Sequence, residues 1–336
     1  MANISTYSLP QFTDLVDRSF IDGLDSLPQI MKNSGIVISG TKPMHTGEFT
    51  RFAERLHRNQ YAAVRDEGAV STQATIQYGY EKDAEQQTVS LEVSITKRMR
   101  VAGKDQDILD QVTNLSEVCP NTLDLDLAHR LTFAFATSYT NRDWDTVDVS
   151  TGDSLAVISD SHTLTGSATT YSNQITGNPQ FSKGSLENAE QLFAEETYNN
   201  LWEKMEMMAD TIITTDDPNS VNQVRELMNA TADVSTDNSG TFNVYGNKYT
   251  HIVSGRIATT AAWAVDTSKR KYWFLACAKA SDFNLEVLEA PYLKTPTDGN
   301  NGEEFSSENW NYLSASTYAM AIVTGRWIKW SQGNWA

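Results

Sequence analysis

The sequence predicts an α+β protein, because its helical and strand-like patterns occupy separate stretches of the chain. Apolar residues recur at helical spacing from Asp105 to Phe135 and again from Ser185 to Ile212. Alternating or continuous apolar runs, which are typical of strands, dominate residues 75–99 and most of the chain from Tyr249 onward. The sequence contains no internal repeat, and segregated elements favour α+β over a doubly wound α/β fold.

The composition is that of a folded, acidic protein. Hydrophobic residues make up 40% of the 336 residues and include 8 Trp, 13 Tyr and 12 Phe, so the chain can bury a sizeable core. The formal net charge of −17 repels phosphates, which argues against a sequence-reading nucleic-acid binder. Because the carboxylates are dispersed along the chain, we interpret them mainly as solubilising groups.

The cysteines and the N-terminus predict a protein of a reducing compartment. Cys119 and Cys277 lie far apart in mostly apolar stretches, which suits buried free thiols better than a disulfide. Residues 1–6 lack the basic and apolar regions of a secretory signal. No apolar stretch approaches the ~20 residues that a membrane span needs. We therefore expect neither export nor membrane insertion.

The first hundred residues predict an arm followed by a long hairpin. Apolar residues show no sustained periodicity over residues 1–45, which predicts an extended arm with one short helix. The next stretch, from Phe49 to about Arg65, has amphipathic character. Two strands, Thr75–Tyr80 and Thr88–Met99, are then predicted around a polar turn at Glu81–Gln87. Because an isolated two-stranded ribbon is marginal in water, the hairpin is expected to lie against a neighbouring subunit.

The middle of the chain predicts one long helix, kinked or divided at Pro120. Its apolar positions recur at three- and four-residue steps on both sides of the proline: Ile108, Val112, Leu115, Leu123, Leu127, Leu131 and Phe135. Short strand-like runs follow, among them Leu155–Ile158. The polar, turn-rich stretch Thr165–Gly184 predicts a loop.

Two further helices and a set of strands are predicted for the remainder. Ser185 can cap an amphipathic helix that continues to Ile212. Asp217 and Pro218 read as the N-cap and first residue of a second helix. The predicted strands are Tyr249–Val253, Tyr272–Ala278, Phe283–Val287 and a long closing strand, Tyr318–Trp330.

Motifs that could carry chemistry are incomplete. Gly35–Lys42 has the glycine spacing of a phosphate loop, but its last two residues are reversed, so a strand ending in a turn is the better interpretation. Asp233, Ser235 and Asp237 resemble the start of a calcium loop, but Asn238 stands where glycine is required. We interpret this second motif as an exposed turn.

The titratable residues also fail to form a recognisable catalytic or metal-binding pattern. None of the histidines stands at a metal-ligand spacing from another ligand: His45, His57, His129, His162 and His251. The neighbouring carboxylates Asp216–Asp217 and Glu195–Glu196 are explained by helix capping or a solvated face. The sequence therefore predicts no catalytic, cofactor-binding or metal-binding residue, and we expect that the protein is not an enzyme.

The order of elements and several local sequences resemble the Hong Kong 97-type major capsid proteins of tailed bacteriophages. Gly152–His162, with the sequence GDSLAVISDSH, is similar to the family segment GDGLPLFS-x-x-H, and Asn178–Pro179 is similar to its continuation. Lys271–Ala276 followed by Leu285–Val287 resembles the strand pair near the family's C-terminus, and Tyr318–Trp330 resembles its closing strand. Together these segments cover about two thirds of the chain.

The resemblance implies a division of the chain into named regions. These regions are an N-terminal arm (1–45), an extended hairpin or E-loop (46–103), a spine helix with the first part of a peripheral domain (104–184), an axial domain (185–265) and the C-terminal strands of the peripheral domain (266–336). The resemblance assigns no catalytic or ligand role to His162. We expect this histidine to lie in a turn, with its ring hydrogen-bonded to backbone groups.

The resemblance also implies the function. Copies of the chain would form pentamers and hexamers of an icosahedral shell that encloses double-stranded DNA, in a virion assembled in the host cytoplasm. Its partners would be other copies, a portal, a separate scaffolding protein and decoration proteins. Two alternatives stay open: an encapsulin-like nanocompartment shell of the same fold, and a cytoplasmic enzyme with an unrecognised site.

Overall fold

A computed structural model describes residues 9–24, 28–39, 43–54, 61–62, 64–71, 73, 78–102, 105–232, 242–296 and 306–333. Its α-helices are α1 (Leu9–Leu24), α2 (Lys97–Val101), α3 (Asp105–Thr132), α4 (Lys183–Glu195) and α5 (Pro218–Asn229).

The strands are short except near the C-terminus. They are β1 (Val37–Ser39), β2 (Met44–Thr46), β3 (Phe49–Ala53), β4 (Glu81–Glu85), β5 (Gln87–Ile95), β6 (Ser138–Thr140), β7 (Thr146–Asp148), β8 (His162–Leu164), β9 (Ser167–Tyr171), β10 (Thr211–Thr214), β11 (Thr250–Val253), β12 (Trp273–Ala276), β13 (Phe283–Lys294), β14 (Trp310–Ile322) and β15 (Ile328–Ser331).

The chain divides into two compact units. The first unit combines Met1–Gln29, Gln86–Asp126 and Glu286–Ala319. The second unit combines Ile30–Glu85, Leu127–Leu285 and Met320–Ala336. Each unit therefore draws on three separate stretches of sequence.

The first unit is built on the N-terminal half of α3. Val16 of α1 is fully buried in a core with residues of α3, β5 and β14: Ile108, Val112, Leu115, Ile95 and Tyr312. Strand β5 pairs antiparallel with β14 from Gln87↔Tyr318 to Ile95↔Trp310. The sheet continues from β14 to β13.

The one short helix expected within the arm over residues 1–45 is present as α1, which covers 16 residues. Val16 and Phe20 stand one turn apart on this helix and are both buried. The hydroxyls of Ser19 and Thr113 are 3.1 Å apart, which adds a polar contact to this packing. The strand expected within Gly35–Lys42 is confirmed as β1, which pairs in parallel with the start of β13.

The predicted hairpin is also wrong. Glu81–Gln87 is not a turn, because residues 81–85 form β4, and β4 pairs with β3 rather than with β5. Salt bridges stabilise this polar strand: Arg51 binds Asp83 at 2.7 Å, and Lys82 binds Asp148 at 2.5 Å. Of the other predicted strand, residues 74–77 lie outside the described residues. Strands β3 and β4 are therefore connected by the segment 54–80, of which the structure describes residues 54, 61–62, 64–71, 73 and 78–80.

The second unit contains a mixed four-stranded sheet in the order β11-β10-β12-β15. Strand β10 is parallel to β11 and antiparallel to β12, which is antiparallel to β15. Every residue of β10, β12 and β15 is buried. The predicted N-cap is confirmed: the Asp217 carboxylate accepts a hydrogen bond from the Ser220 backbone N–H at 3.2 Å, and Pro218 is the first residue of α5.

The predicted long helix is confirmed over residues 105–132 and is not divided at Pro120, which lies inside it. Phe135, the last apolar position assigned to it, lies in the turn that follows. The helix predicted from Ser185 to Ile212 is wrong in its second half. Its N-cap is Ser182, which forms a capping box with Ser185, and the helix ends at Glu195. Ile212 lies in β10, where β-branched residues and a buried sheet favour a strand.

Three smaller predictions are corrected. Tyr318–Trp330 is not one strand, because a turn at Gly325 separates β14 from β15. Leu155–Ile158 lies in turns and bends rather than in a strand, and the predicted loop Thr165–Gly184 contains β9. Cys119 and Cys277 are buried and free, as predicted.

Candidate functional site

A buried cluster of polar residues surrounds Arg326, in the turn between β14 and β15. Its guanidinium forms a salt bridge with the Glu54 carboxylate, and both side chains are at most 1% exposed. The second guanidinium nitrogen donates to the Asn200 side-chain oxygen, and the Asn200 amide donates to Glu54 at 2.7 Å. Each partner is therefore bound on several sides, as a buried charge requires.

The same cluster ties together the two ends of the segment 54–80. The Tyr80 backbone N–H donates to the Glu54 carboxylate at 2.9 Å, and the Glu54 backbone N–H donates to the Tyr80 carbonyl at 2.9 Å. The Tyr80 hydroxyl lies 2.6 Å from the Thr163 hydroxyl. These bonds fix the point at which the segment leaves the sheet and returns to it.

Within this segment, several large apolar side chains are exposed. Val64 is 99% exposed, and three others are also well exposed: Tyr61, Val70 and Tyr78. The Tyr61 hydroxyl donates to the Lys204 carbonyl at 2.9 Å. Exposed apolar side chains that belong to one anchored segment are typical of a contact surface.

A second buried pair is formed by His162 and Asp153. His162 lies in β8 rather than in a turn, and its two ring nitrogens lie 2.8 Å from the Asp153 carboxylate and 3.2 Å from the Val157 carbonyl. Burial opposes ionisation of Asp153, but its hydrogen bonds from His162, from the Thr151 hydroxyl and from a backbone N–H, together with the charge of His162, lower its pKa to about 2. The partners of His162 are thus a carboxylate and a carbonyl, where backbone groups alone were expected.

The His162–Asp153 pair is built into the fold. Both ring nitrogens face acceptors, the Asp153 carboxylate and the Val157 carbonyl. The pair closes the loop around Gly152–Leu155 and contacts Tyr171, whose ring stacks on the imidazole at 5.1 Å.

Close packing around these two clusters depends on Gly325. A Cβ atom at this position would lie 2.5 Å from the Asn173 side-chain amide and 2.6 Å from the Val157 carbonyl oxygen. The Asn173 amide itself donates to the carbonyls of Val157 and Gly325, at 2.7 and 3.0 Å. Any larger residue would disrupt this network.

Lys329 is a third buried charged group. It lies in β15, and its ammonium donates to the carbonyls of Ser172 and Glu196 at 3.2 and 3.1 Å. Burial lowers the pKa of Lys329 to about 7, although the charge of Glu196 opposes this shift. Sequence reasoning missed this residue and Arg326, but each stands in a strongly apolar stretch, which is a signal of a buried charged group.

The other histidines considered above are dispersed. Burial lowers the pKa of His129 and of His251 to about 4, and each ring bonds a threonine hydroxyl, at 3.0 Å and 2.9 Å. His45 lies in β2, and His57 lies outside the described residues, as do Asp233, Ser235, Asp237 and Asn238. Among the residues that the structure describes, no group of three or more His, Cys, Asp or Glu could hold a metal ion.

Over the same described ranges, no helix combines the length and the apolar character needed to cross a bilayer. The described surface does carry exposed aromatic and aliphatic side chains outside the segment 54–80. Those in the second unit include Trp144, Met208, Phe242, Val244, Trp263 and Val265. The described features therefore consist of buried anchoring clusters and exposed apolar loops.

Comparison with known proteins finds similarity in structure but not in sequence. No protein-family model matches the chain, and no curated protein matches it by sequence. A structure from Gordonia phage Cozz has a TM-score of 0.50 and 11% identity, and the match covers 90% of this chain and 85% of that one. The capsid structure of cyanophage P-SCSP1u also has a TM-score of 0.50 and 11% identity, with coverage of 87% and 85%. A virus-like particle from Pyrococcus furiosus has a TM-score of 0.44 and 9% identity, with coverage of 94% and 96%.

Proposed function

Because the chain has the Hong Kong 97-type fold that its sequence predicts, we propose that it is the major capsid protein of a tailed bacteriophage. Copies would form the pentamers and hexamers of an icosahedral shell around double-stranded DNA. The observation that carries this proposal is a shared fold over about nine tenths of the chain, one match being to a phage capsid structure.

The geometry of the second unit suits a shell subunit. The cluster of Glu54, Arg326 and Asn200 anchors a segment whose apolar side chains face solvent in the isolated chain. Contact with neighbouring copies would remove those side chains from water, at roughly 25 cal/mol per Å² of apolar surface. A rigid base with an exposed segment can be repeated at every position of a closed shell.

We assign the protein a structural role rather than a catalytic one. His162 is occupied by two acceptors, and Lys329 and Arg326 are held by carbonyls and a carboxylate inside the unit. The hydrogen bonds and charges of these groups are used within the fold, which supports a structural role for them. A portal, a separate scaffolding protein and decoration proteins would be the other partners in the virion.

The packaged DNA would be enclosed without sequence-specific contacts, because a net charge of −17 opposes binding to phosphates. A duplex titration at physiological salt should give weak binding that does not depend on sequence. Tight binding with a strong sequence preference would contradict this part of the proposal.

The experiment is to express the chain with its scaffolding protein and to analyse the purified product by electron microscopy, nuclease protection and mass spectrometry. We expect the expressed protein to form closed shells. Shells purified from infected cells should contain nuclease-protected DNA of genome length. Shells that contain one cargo protein and no genome would indicate an encapsulin-like nanocompartment. A stable monomer that turns over a small substrate would indicate an enzyme.

A further inference from the structure

Three tryptophans of the second unit adopt a backbone conformation that bulky residues seldom tolerate. The φ angles of Trp144, Trp202 and Trp263 are 70°, 64° and 68°. This left-handed region favours glycine or asparagine and costs other residues about 1–2 kcal/mol. A reason other than backbone geometry is therefore needed for tryptophan at these positions.

All three tryptophans occupy the fourth position of the same five-residue turn. The first residue donates its backbone N–H to the carbonyl of the fifth, and the tryptophan N–H donates back to the carbonyl of the first. The first bond measures 2.9 Å in Asn141–Asp145, 2.9 Å in Asn199–Glu203 and 2.7 Å in Thr260–Ala264. The second measures 3.3, 3.2 and 3.0 Å in the same order.

The side chain of the first residue strengthens each turn. Its oxygen accepts the backbone N–H of the fifth residue, at 2.9 Å for Asn141, 2.8 Å for Asn199 and 3.1 Å for Thr260. The hydrogen bonds that define the turn use only the backbone and this side chain. The indole ring contributes nothing to them, so glycine would satisfy the turn at lower cost.

The surroundings of the three rings differ. The Trp202 ring stacks on Tyr198 at 3.8 Å, and the Trp263 ring lies 4.7 Å from the Arg142 guanidinium. The Trp144 side chain is 88% exposed, at the tip of the β6–β7 hairpin. A rigid turn thus holds a large apolar ring in solvent, in a conformation that disfavours it.

We propose that Trp144 is an anchor that docks onto a second copy of this chain, an inference that rests on the proposed shell function. Tryptophan and arginine are the residues that most often dominate the binding energy of protein interfaces. A preorganised turn lowers the entropy lost when the ring is buried. The structure in this way explains why tryptophan, rather than glycine, stands at position 144.

The charge around the ring indicates where it docks. Asp143 and Asp145 flank Trp144 and are exposed. Arg142 lies in the same turn with its guanidinium over the Trp263 ring, so the two carboxylates give the tip a net negative charge. Such a tip suits a basic surface with an apolar centre.

Helix α2 combines basic residues with an exposed apolar one. Its sequence, KRMRV, contains three basic residues and no acidic one, although Lys97 at its start pairs with Glu308. Val101 at its end is 69% exposed. We therefore assign α2 of the neighbouring copy as the docking surface.

The first test is Trp144→Gly, with Trp202→Gly as the matched control in the same turn. Glycine fits the φ of 70°, so W144G should fold with a melting temperature equal to or above that of the wild type. Assembly should require a subunit concentration roughly tenfold higher, as expected for ~1.4 kcal/mol lost per contact. W202G should instead lower the melting temperature and leave the assembly concentration within about twofold, because its ring binds within its own subunit.

A charge swap and a photo-crosslinker test the docking surface. D143K/D145K should impair assembly, and combination with R98E/R100E, which leaves the Lys97–Glu308 salt bridge intact, should restore it. A photo-reactive amino acid in place of Trp144 should crosslink to residues 97–101 of another copy. Crosslinks elsewhere, for example to Lys269–Lys271, or no rescue by the swap would overturn the assignment to α2.

These outcomes separate the anchor from the proposed function. If wild-type and W144G subunits form shells at the same concentration, the anchor is wrong and the shell function stands. If the wild type forms no shells, the proposed shell function is wrong. Sedimentation of wild-type and W144G subunits then tests the anchor by itself: weaker self-association of W144G supports it, and equal self-association contradicts it.

Discussion

The carboxylate of Glu54 and the guanidinium of Arg326 form a buried ion pair between residues separated by 272 positions in the sequence. The pair joins the start of the exposed segment 54–80 to the turn before the last strand. A charge pair, and not only apolar packing, therefore holds the start of this segment to the rest of the second unit.

Removing one partner of this pair should destabilise the subunit strongly. Glu54→Gln leaves the Arg326 charge buried without a counter-ion, which typically costs about 3–5 kcal/mol. Urea denaturation of dissociated subunits measures the loss. Arg51→Met is the control, because its salt bridge with Asp83 is exposed and should contribute little to stability. Equal losses in the two variants would contradict a structural role for the buried pair.

Two glycine substitutions should have opposite effects on stability. Gly325→Ala places a methyl group 2.5–2.6 Å from Asn173 and the Val157 carbonyl, and should cost several kcal/mol or prevent folding. Gly184→Ala introduces a methyl group into α4 with no atom within 4 Å, and should stabilise the subunit by about 0.5–1 kcal/mol. Thermal melting of both variants checks the prediction, and a tolerated G325A would show that the described packing is wrong.

Asp153 should make the stability of the subunit depend on pH in the acidic range. Its pKa is depressed from 3.8 to about 2, so its contribution is fully present above about pH 4 and is lost as the pH falls through 2. The free energy of unfolding of wild type and of Asp153→Asn is measured from pH 6 to pH 2. The difference between the two proteins should change by about 2 kcal/mol over this range. A difference that does not change with pH would contradict the prediction.

Lys329 should act in the alkaline range, where it also makes stability rise with pH. Its pKa is lowered from 10.5 to about 7 in the folded state, so the unfolded chain binds more protons between these values. Stability relative to Lys329→Met should then rise between pH 7 and pH 10, by up to about 1.4 kcal/mol per pH unit. Parallel pH curves for the two proteins would show that Lys329 is not held in a desolvated site.

Excision of the exposed segment should separate folding from assembly. The Glu54 N–H bonds the Tyr80 carbonyl, so a short Gly-Ser turn in place of residues 55–79 can close between them. The variant should keep its circular dichroism spectrum and lose most of its ability to form shells. Removal of Tyr80–Gln87 should instead damage the fold, because those residues include β4. Normal shells from the excised variant would show that the segment is not an assembly element.

The sequence predicts elements well where local signals are strong. The apolar period of α3 and the Asp217–Pro218 start of α5 are local and are confirmed. The end of α4 could not be predicted, because the chain turns at Asn199–Glu203 and then enters β10, whose strand character depends on burial between β11 and β12.

The hairpin and the anchoring clusters depend on distant partners. Strand β4 is polar, and its strand conformation depends on its pairing with β3. Strand β5 pairs with β14, more than two hundred residues away in sequence. The Glu54–Arg326 pair likewise joins separate stretches of the chain. A charged residue within an apolar run, such as Arg326 beside Trp327, indicates that a partner exists but does not identify it.

Cryo-electron microscopy of the purified protein across a wide concentration range distinguishes a shell subunit from an isolated protein. We expect closed particles whose reconstruction contains five- and six-fold arrangements of this subunit, with residues 54–80 in contact with a neighbouring copy. A uniform monomer at every concentration, with residues 54–80 protected from protease, would contradict it.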